Sequence, residues 1–246
     1  MFNFFVKKQF LADQLENFVD IHNHILPGID DGAKSTDDSL DIIRGFSELG
    51  VKSFVATPHI MHNYYPNTSE TIKDAASALK NALLEGGLTE VAIDTAAEHM
   101  IDDNFEVLLE DGAIMPLRKD YLLVEMSFLQ PPINFDQSIN NIAAKRYFPI
   151  LAHPERYIFL QKRMGKYKSY KRKGILYQMN MLSLGEYYGK EVQQTAYKLL
   201  DEGLIDFLGS DVHNIQQLNA LREIKISNKY VNRLLPIIEG TISSFY

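Results

Sequence analysis

Two periods alternate along the chain. Runs of β-branched and aromatic residues, FVDIH (18–22), KSFVATPH (52–59), VAIDTAAEH (91–99), YLLVEM (121–126), FPILAH (148–153), ILYQMN (175–180) and IDFLGSD (205–211), read as buried strands. Between them, TDDSLDIIRGFSELG, SETIKDAASALKNALLEGG and EVQQTAYKLLDEGL carry a 3.6-residue period that predicts amphipathic helices. Asp37, Asp38 and Ser69-Glu70 suit first turns, and Gly50, Gly86 and Gly203 suit helix ends. Seven strands alternating with helices, without a low-complexity linker, predict a single α/β domain over 18–246 behind an N-terminal tail of residues 1–17. The favoured architecture is a parallel (β/α)7-type distorted barrel. An open doubly wound sheet is the alternative, but no Gly-rich phosphate-binding fingerprint follows the first strand.

Composition narrows the chemistry. With 246 residues, 46% of them hydrophobic, the chain can bury a sizeable core. It has no cysteine, which excludes disulfides, thiolate metal sites and cysteine nucleophiles. A net charge of −7 argues against nucleic acid as a partner. The start, MFNFFVKKQF, is too short in apolar residues for a signal peptide or a membrane span, so a cytoplasmic protein is expected. Phe2, Phe4 and Phe5 leave room for a transient contact with a membrane surface at most. The oligomeric state stays open.

The ends of the strands carry the candidate chemistry, where βα barrels place their active sites. In FVDIHNH, alternation sends His22 and His24 into one space and turns Asn23 away. The second strand ends in His59, the third in Glu98, the fourth in Glu125, the fifth in His153, and the seventh in Asp211 and His213. Five of the chain's seven histidines lie at these ends, which is hard to reconcile with a chance scatter. Imidazole and carboxylate without thiolate suit manganese, iron or zinc, and more than four ligands imply a polynuclear cluster.

In this order, DIHNHILPGIDDG, TPHI, AAEHM, LVEMS, LAHPERY and GSDVHN resemble the polymerase-and-histidinol-phosphatase (PHP) superfamily of metallophosphoesterases. Within it the chain most resembles the bacterial manganese-dependent protein-tyrosine phosphatases of capsular and exopolysaccharide synthesis. The likeness covers about residues 18–215, and it is specific as a set rather than motif by motif. It implies a first metal held by His22, His24, Glu98 and Asp211. Glu98 would bridge to a second metal completed by Glu125 and His153, and a third would use Asp31, His59 and His213. Two or three ions are therefore expected, manganese first and iron or zinc as alternatives. Asp31 is preferred over Asp30 because it stands seven residues after His24, as in the family. Glu125 favours the tyrosine phosphatases, since several relatives of the histidinol-phosphatase type have histidine at the corresponding strand end.

The resemblance implies hydrolysis of phosphotyrosine by hydroxide held at the metals, with His153 and Arg156 as the catalytic residues. The substrate would be the tyrosine-rich tail of a membrane-associated bacterial tyrosine kinase. Arg156 offers a planar fork for phosphate; its bland alternative is a helix-surface arginine paired with Glu155. His99 should face away from Glu98 and pack. His62 sits in a loop that could reach substrate. Tyr64, Tyr65, Tyr187 and Tyr188 could wall an aryl slot or merely pack their loops. Seven Lys or Arg residues within 162–173 could attract an acidic phosphopeptide or form a solvated helix face. Rival functions are a small-molecule phosphatase acting on histidinol phosphate or a similar monoester, a phosphodiesterase or nuclease, and a non-catalytic metal-binding regulatory domain.

Overall fold

The hydrophobic runs fold as parallel strands whose polar ends are gathered on one side. The structure is a computed structural model describing residues 8–118 and 120–246. Phe2, Phe4 and Phe5, the residues for which a transient membrane contact was left open, lie outside the described residues. In chain order the elements are β1 (Lys8–Phe10), β2 (Val19–Asp20), α1 (Thr36–Ser47), β3 (Ser53–Ala56), β4 (His59–Ile60), α2 (Ser69–Glu85), β5 (Ala92–Thr95), β6 (Glu98–Met100), α3 (Phe105–Asp111) and β7 (Tyr121–Glu125). They continue with α4 (Phe135–Ala144), β8 (Phe148–Ala152), α5 (Met164–Arg172), β9 (Leu176–Asn180), α6 (Lys190–Asp201), β10 (Phe207–Gly209), α7 (Ile215–Arg222), β11 (Lys225–Ser227) and α8 (Asn228–Phe245).

Six parallel strands run in the order β10-β9-β8-β7-β6-β4, and three more in the order β2-β3-β5, within one α/β domain. The two runs expected as single strands, 52–59 and 91–99, are each interrupted. Pro58 lacks the N–H a ladder needs, and the Thr57 hydroxyl instead accepts the Asn23 N–H at 3.1 Å. Past the break the two runs stay paired at the same offset: β3 pairs with β2 and β5, and β4 pairs with β6 in a register that sets His59 beside Glu98. Backbone bonds from Ala96 N to Ala56 O and from Glu98 N to Pro58 O carry the connection across.

The first and last strands meet as well. Asp211 N donates to His22 O at 2.7 Å, His24 N to Val212 O at 3.0 Å, and Asn23 forms a parallel bridge with Val212. Beneath them the buried Asp20 carboxylate accepts both Ser210 N–H, at 2.9 Å, and Ser210 Oγ, at 2.6 Å.

Residues 8–17 are not a tail. β1 pairs antiparallel with β11, Leu11 N donates to Ile224 O, and Leu11 and Leu15 are fully buried in the main core. Two leucines spaced by four among polar neighbours were too short a signal to read as an element. The described helices otherwise bury their apolar stripes on the outer faces of the strands. α1 starts at Ser35, whose side chain accepts Asp38 N–H while the Asp38 side chain accepts Ser35 N–H. α8 closes the end opposite the site: Phe245 enters an inner apolar plug with Val19, Leu123, Ile150 and Phe207. No helix among the described residues is long and apolar enough to cross a membrane.

Candidate metal centre

Alternation delivers part of the cluster and backbone kinks deliver the rest. On β7, Leu123 lies in the inner plug and Glu125 follows two residues later; Ala96 and Glu98 repeat the relation, as do Val55 and His59 at twice the spacing. His22 and His153 break it, because each directly follows a plug residue, Ile21 and Ala152. The chain bends at His22, and His153 has φ +34°, in the left-handed region. Asp211, at φ +53°, is a second site residue in that region. Such conformations are costly and persist where surrounding contacts fix them, often at functional sites.

The nine residues expected as ligands converge on one space. His22 Nε2 lies 3.2 Å from Glu98 Oε2 and 3.3 Å from Asp211 Oδ1, and His24 Nε2 lies 3.3 Å from the same Asp211 oxygen. His59 Nδ1 is 3.1 Å from Glu98 Oε2 and 2.9 Å from Glu125 Oε1. His153 Nε2 is 2.9 Å from Glu98 Oε1 and 3.9 Å from Glu125 Oε2. Asp31 Oδ1 lies 3.4 Å from His59 Nε2 and 3.5 Å from His213 Nε2.

Three sets of ligand atoms are mutually close enough to hold an ion: His22, His24, Glu98 and Asp211; His24, Asp31, His59 and His213; and His59, Glu98 and Glu125. Two details differ from expectation. His24 joins the set around Asp31, and His59, rather than His153, completes the set of Glu98 and Glu125.

The donor atoms fit a cation. His22 Nε2, His24 Nε2, His59 Nδ1, Glu98 Oε2 and Glu125 Oε1 are buried without a hydrogen-bond partner. Buried polar atoms in native proteins are nearly always satisfied, so several orphans in one cluster call for a missing partner. The other ring nitrogens are occupied. His22 Nδ1 is 2.7 Å from Gln178 Oε1, His24 Nδ1 is 2.8 Å from Asp30 Oδ2, and His213 Nδ1 is 2.9 Å from the Asp211 carbonyl oxygen. Each arrangement leaves Nε2 for a metal, the usual way an outer acceptor sets the tautomer of a ligating histidine.

Burial opposes charge throughout the cluster, and mutual attraction overrides it. His22 would be pushed down by burial, but Glu98 and Asp211 raise it to about 9. Burial would likewise depress His24, yet Asp30 and Asp211 raise it to about 10. Glu98 and Asp211 would be raised by burial, but the histidines hold both well below the usual carboxylate range. Opposite charges kept this close without water are what a metal site resembles when protons stand in for the cation.

Arg156 reaches the cluster from the one-turn helix Pro154–Arg156. Its Nη1 donates to Asp211 Oδ2 at 2.7 Å, and Asn180 Nδ2 donates to the same oxygen at 2.7 Å. The guanidinium lies between two rings, 4.1 Å from the centroid of Tyr188 and 4.5 Å from that of Phe128. The suggested pairing with Glu155 does not form. Glu155 is instead fully buried and accepts Asn180 N–H at 3.0 Å. His99 packs away from the cluster, accepting Met115 N–H at Nε2, and burial lowers it to about 4.

Above the cluster opens a cavity of about 570 Å³ with an apolar wall that includes Met61, Tyr64, Tyr65, Met126, Phe128 and Leu129. His62 stands on its rim, and Tyr65 stacks on His59 at 5.4 Å.

Sequence reasoning missed the residues that hold the ligands in place. Asp30 is one: its Oδ2 also accepts His59 N–H, and its Oδ1 accepts Gly32 N–H. With Asp30 so engaged, the half-exposed Asp31 is the member of the pair that faces His59 and His213. Gly32 and Gly209 are others. A Cβ on Gly32 would lie 2.1 Å from His24 O, and one on Gly209 would lie 2.6 Å from His22 Cβ. The double aspartate followed by glycine was a visible signal for the first; nothing in the sequence marks the second.

Comparison with known proteins agrees with this geometry. The family described as "Capsular polysaccharide synthesis, CpsB/CapC" matches residues 18–235. The tyrosine-protein phosphatase YwqE of Bacillus subtilis is 30% identical over 202 residues, covering 82% of this chain and 79% of YwqE. The tyrosine-protein phosphatase CpsB of Streptococcus pneumoniae is 24% identical over 211 residues, covering 80% of this chain and 83% of CpsB. Among solved structures, one from the study of B. subtilis YwqE and S. pneumoniae CpsB, described as unique metal-dependent tyrosine phosphatases, superposes with a TM-score of 0.76. It is 29% identical, with 81% of each chain covered. The chain belongs to the CpsB/CapC family of capsular polysaccharide synthesis proteins.

Proposed function

We propose that the protein is a metal-dependent protein-tyrosine phosphatase. The observation that carries this reading is the set of buried, unpartnered imidazole and carboxylate atoms beneath an apolar cavity that Arg156 also lines. Two or three divalent cations, manganese first, would be held by His22, His24, Glu98 and Asp211, by Glu98, Glu125 and His153, and by Asp31, His59 and His213. His24 and His59 are close enough to serve neighbouring positions. In fold terms, the meeting of β2 and β10 supports a closed, distorted (β/α)7 barrel of the PHP type. A cytoplasmic location and a capsule- or exopolysaccharide-regulating tyrosine kinase as substrate complete the reading.

A bound divalent cation would supply Lewis acidity toward phosphoryl oxygens and an activated water at neutral pH. The chain's own groups do the rest. Asp211 holds Arg156 by one nitrogen, which leaves donors of the planar fork to grip the phosphoryl oxygens and fix their orientation. The wall of Met61, Tyr65, Met126 and Phe128 suits an aryl ring and excludes water from it. A phenolate leaving group has a pKa near 10, so it depends less on protonation than an alkoxide does.

The test is a substrate panel with metal-loaded protein. Phosphotyrosine peptide should exceed phosphoserine peptide and histidinol phosphate by at least about tenfold in kcat/KM, about 1.4 kcal/mol, and chelation should abolish turnover. Equal or better turnover of histidinol phosphate would overturn the tyrosine-phosphatase reading.

A further inference from the structure

We propose that the basic segment 162–173 is an accessory docking surface for acidic residues that flank the phosphotyrosine of a protein substrate. The inference rests on the phosphatase reading above and names where the substrate chain runs once its phosphotyrosine is seated.

The charge distribution is uneven in a way folding does not require. Residues 162–173 hold 7 of the chain's 25 lysines and arginines and none of its 32 acidic residues, so the remainder carries 18 basic against 32 acidic groups. Within the segment the cations divide by position. Toward the C-terminal end of α5, Lys168 pairs with Glu202 at 2.6 Å, Lys171 with Asp206, and Lys173 with Asp136 at 2.7 Å. These tie the helix to α6, to the loop before β10 and to α4. At the other end Lys162, Arg163 and Lys166 are exposed and have no ion-pair partner among the described residues; Arg172 is the only similar residue in the far half.

The free cations sit on the side of the fold where the site opens. In a βαβ unit the helix begins near the carboxyl end of the preceding strand and finishes near the start of the next. α5 follows His153 and Arg156 and leads into β9, so Lys162, Arg163 and Lys166 belong to the site's side and Arg172 to the opposite one. The contacts agree: Tyr167 OH donates to Pro154 O at 3.1 Å, fastening α5 to the turn that carries Arg156, and Ile158 N donates to the carbonyl of the cavity residue Phe128 at 3.0 Å.

Lys162 stands six positions after Arg156, which bounds their separation at about 22 Å, within reach of about seven residues of extended peptide. Cations at a helix start also oppose its dipole, and α5 has no acidic residue in its first turn to offset them. Lys166 Nζ gains one local contact, 4.9 Å from the Tyr170 ring centroid, but local stability does not explain the placement of Lys162 and Arg163. An anionic partner does, and a phosphorylated, acidic peptide would otherwise be repelled by a protein of net charge −7.

The experiment compares wild type, the triple variant K162E/R163E/K166E and the far-end control R172E, all loaded with manganese. Substrates are para-nitrophenyl phosphate and two phosphotyrosine peptides, alike except that Asp and Glu about five to ten residues from the phosphotyrosine become Asn and Gln in the second. For the triple variant, KM for the acidic peptide should rise at least about fivefold, since each exposed pair contributes modestly but charge reversal adds repulsion. Its kcat, its KM for the neutral peptide and its turnover of para-nitrophenyl phosphate should stay within about twofold of wild type. R172E should match wild type throughout, and added salt should erase the acidic-peptide preference.

An unchanged KM for the acidic peptide in the triple variant would overturn the docking surface and leave the phosphatase reading intact. So would an equal loss for both peptides, or loss of binding to phosphatidylserine vesicles with no change in peptide KM. Absence of any phosphotyrosine turnover by wild type would remove the reading and the inference together.

Discussion

Replacing Arg156 by lysine keeps the positive charge and removes the geometry. In the native site the guanidinium bonds Asp211 Oδ2 at 2.7 Å while its Cζ lies over the rings of Tyr188 and Phe128, 4.1 and 4.5 Å from their centroids. A lysine ammonium could restore the bond to Asp211, but it is a compact charge that cannot lie flat between two rings and still present a fork beyond them. Two losses follow. The stacked contacts contribute about 0.5–1 kcal/mol each where partly exposed, and Arg156 is only one-fifth exposed, so the upper part of that range applies. A charge-assisted bond to phosphate is worth about 1.5–3 kcal/mol.

Counting one stacked contact and one phosphate bond as lost gives about 2–4 kcal/mol, or roughly 30- to 1000-fold in kcat/KM. Metal content should stay at the wild-type level, because Asn180 still donates to Asp211 at 2.7 Å. Steady-state kinetics on a phosphotyrosine peptide and elemental analysis of the same preparation make the measurement. A lysine variant with wild-type kcat/KM and native metal content would refute the phosphate role and reduce Arg156 to a partner of Asp211.

Glu98→Gln removes the carboxylate shared by two of the candidate sets while keeping its shape, so at least one metal per chain and more than about 100-fold of activity should be lost; outer partners of ligands typically account for 10–100-fold. Elemental analysis showing native stoichiometry would contradict the shared role. In the metal-free protein His22 and His24 are raised to about 9 and 10, from 6.5, so their protonated forms favour the fold fully below about pH 6.5, and that contribution disappears as pH rises through 9–10. A metal must displace those protons, and His59 is likewise raised well above its ordinary value by Glu125 and Glu98, so manganese binding at pH 7.5 should release at least two protons and strengthen as pH rises. Calorimetry in buffers of different ionisation enthalpy reads the release, and a value near zero would contradict it. Gly32→Ala sets a methyl 2.1 Å from His24 O, which should destabilise the protein by about 1–3 kcal/mol, or about 2–12 °C in Tm, and weaken metal binding. An alanine variant with native Tm and metal content would show that the close approach relaxes freely.

Most of the ligands were legible because they close the strand-like runs of the sequence, where period-two alternation and a following loop both announce themselves; Asp31, in the loop after β2, was placed by the family resemblance instead. Glu125 satisfies that logic fully, whereas His59 and Glu98 keep the alternation but open the short strands β4 and β6 beyond a break. His22 and His153 were found for a partly mistaken reason: alternation from the inner plug would turn them outward, and a bend in one case and a left-handed φ in the other bring them in. Strand ends could be misplaced without misplacing the chemistry, since the long runs 52–59 and 91–99 broke at Thr57-Pro58 and Ala96-Ala97 but kept their register. β1 and β11 were illegible for a different cause. Each has three residues, and their pairing spans almost the whole chain, so no local period could reveal it.

What surrounds the ligands was harder to read, for a reason that bears on how such sites are built. Gln178, Asn180, Asp30, Phe128 and Tyr188 are ordinary residue types whose roles arise only in contact with a partner distant in sequence. Asn180 illustrates it: its N–H bonds Glu155, its side-chain amide bonds Asp211, and Asp211 in turn holds Arg156. The end of β9, the segment after β10 and the turn after β8 thus meet through a single asparagine, and removing it would leave each ligand present but free to shift. Catalysis by positioning is sensitive to displacements of about 1 Å. Asn180→Ala is therefore expected to lower activity more than metal content, because Asp211 keeps its bond to Arg156 but loses the second donor that fixes the carboxylate's rotation. Equal loss of both would mean that Asn180 supports the metal site as a whole, whereas normal activity would show that Arg156 alone is enough to orient Asp211.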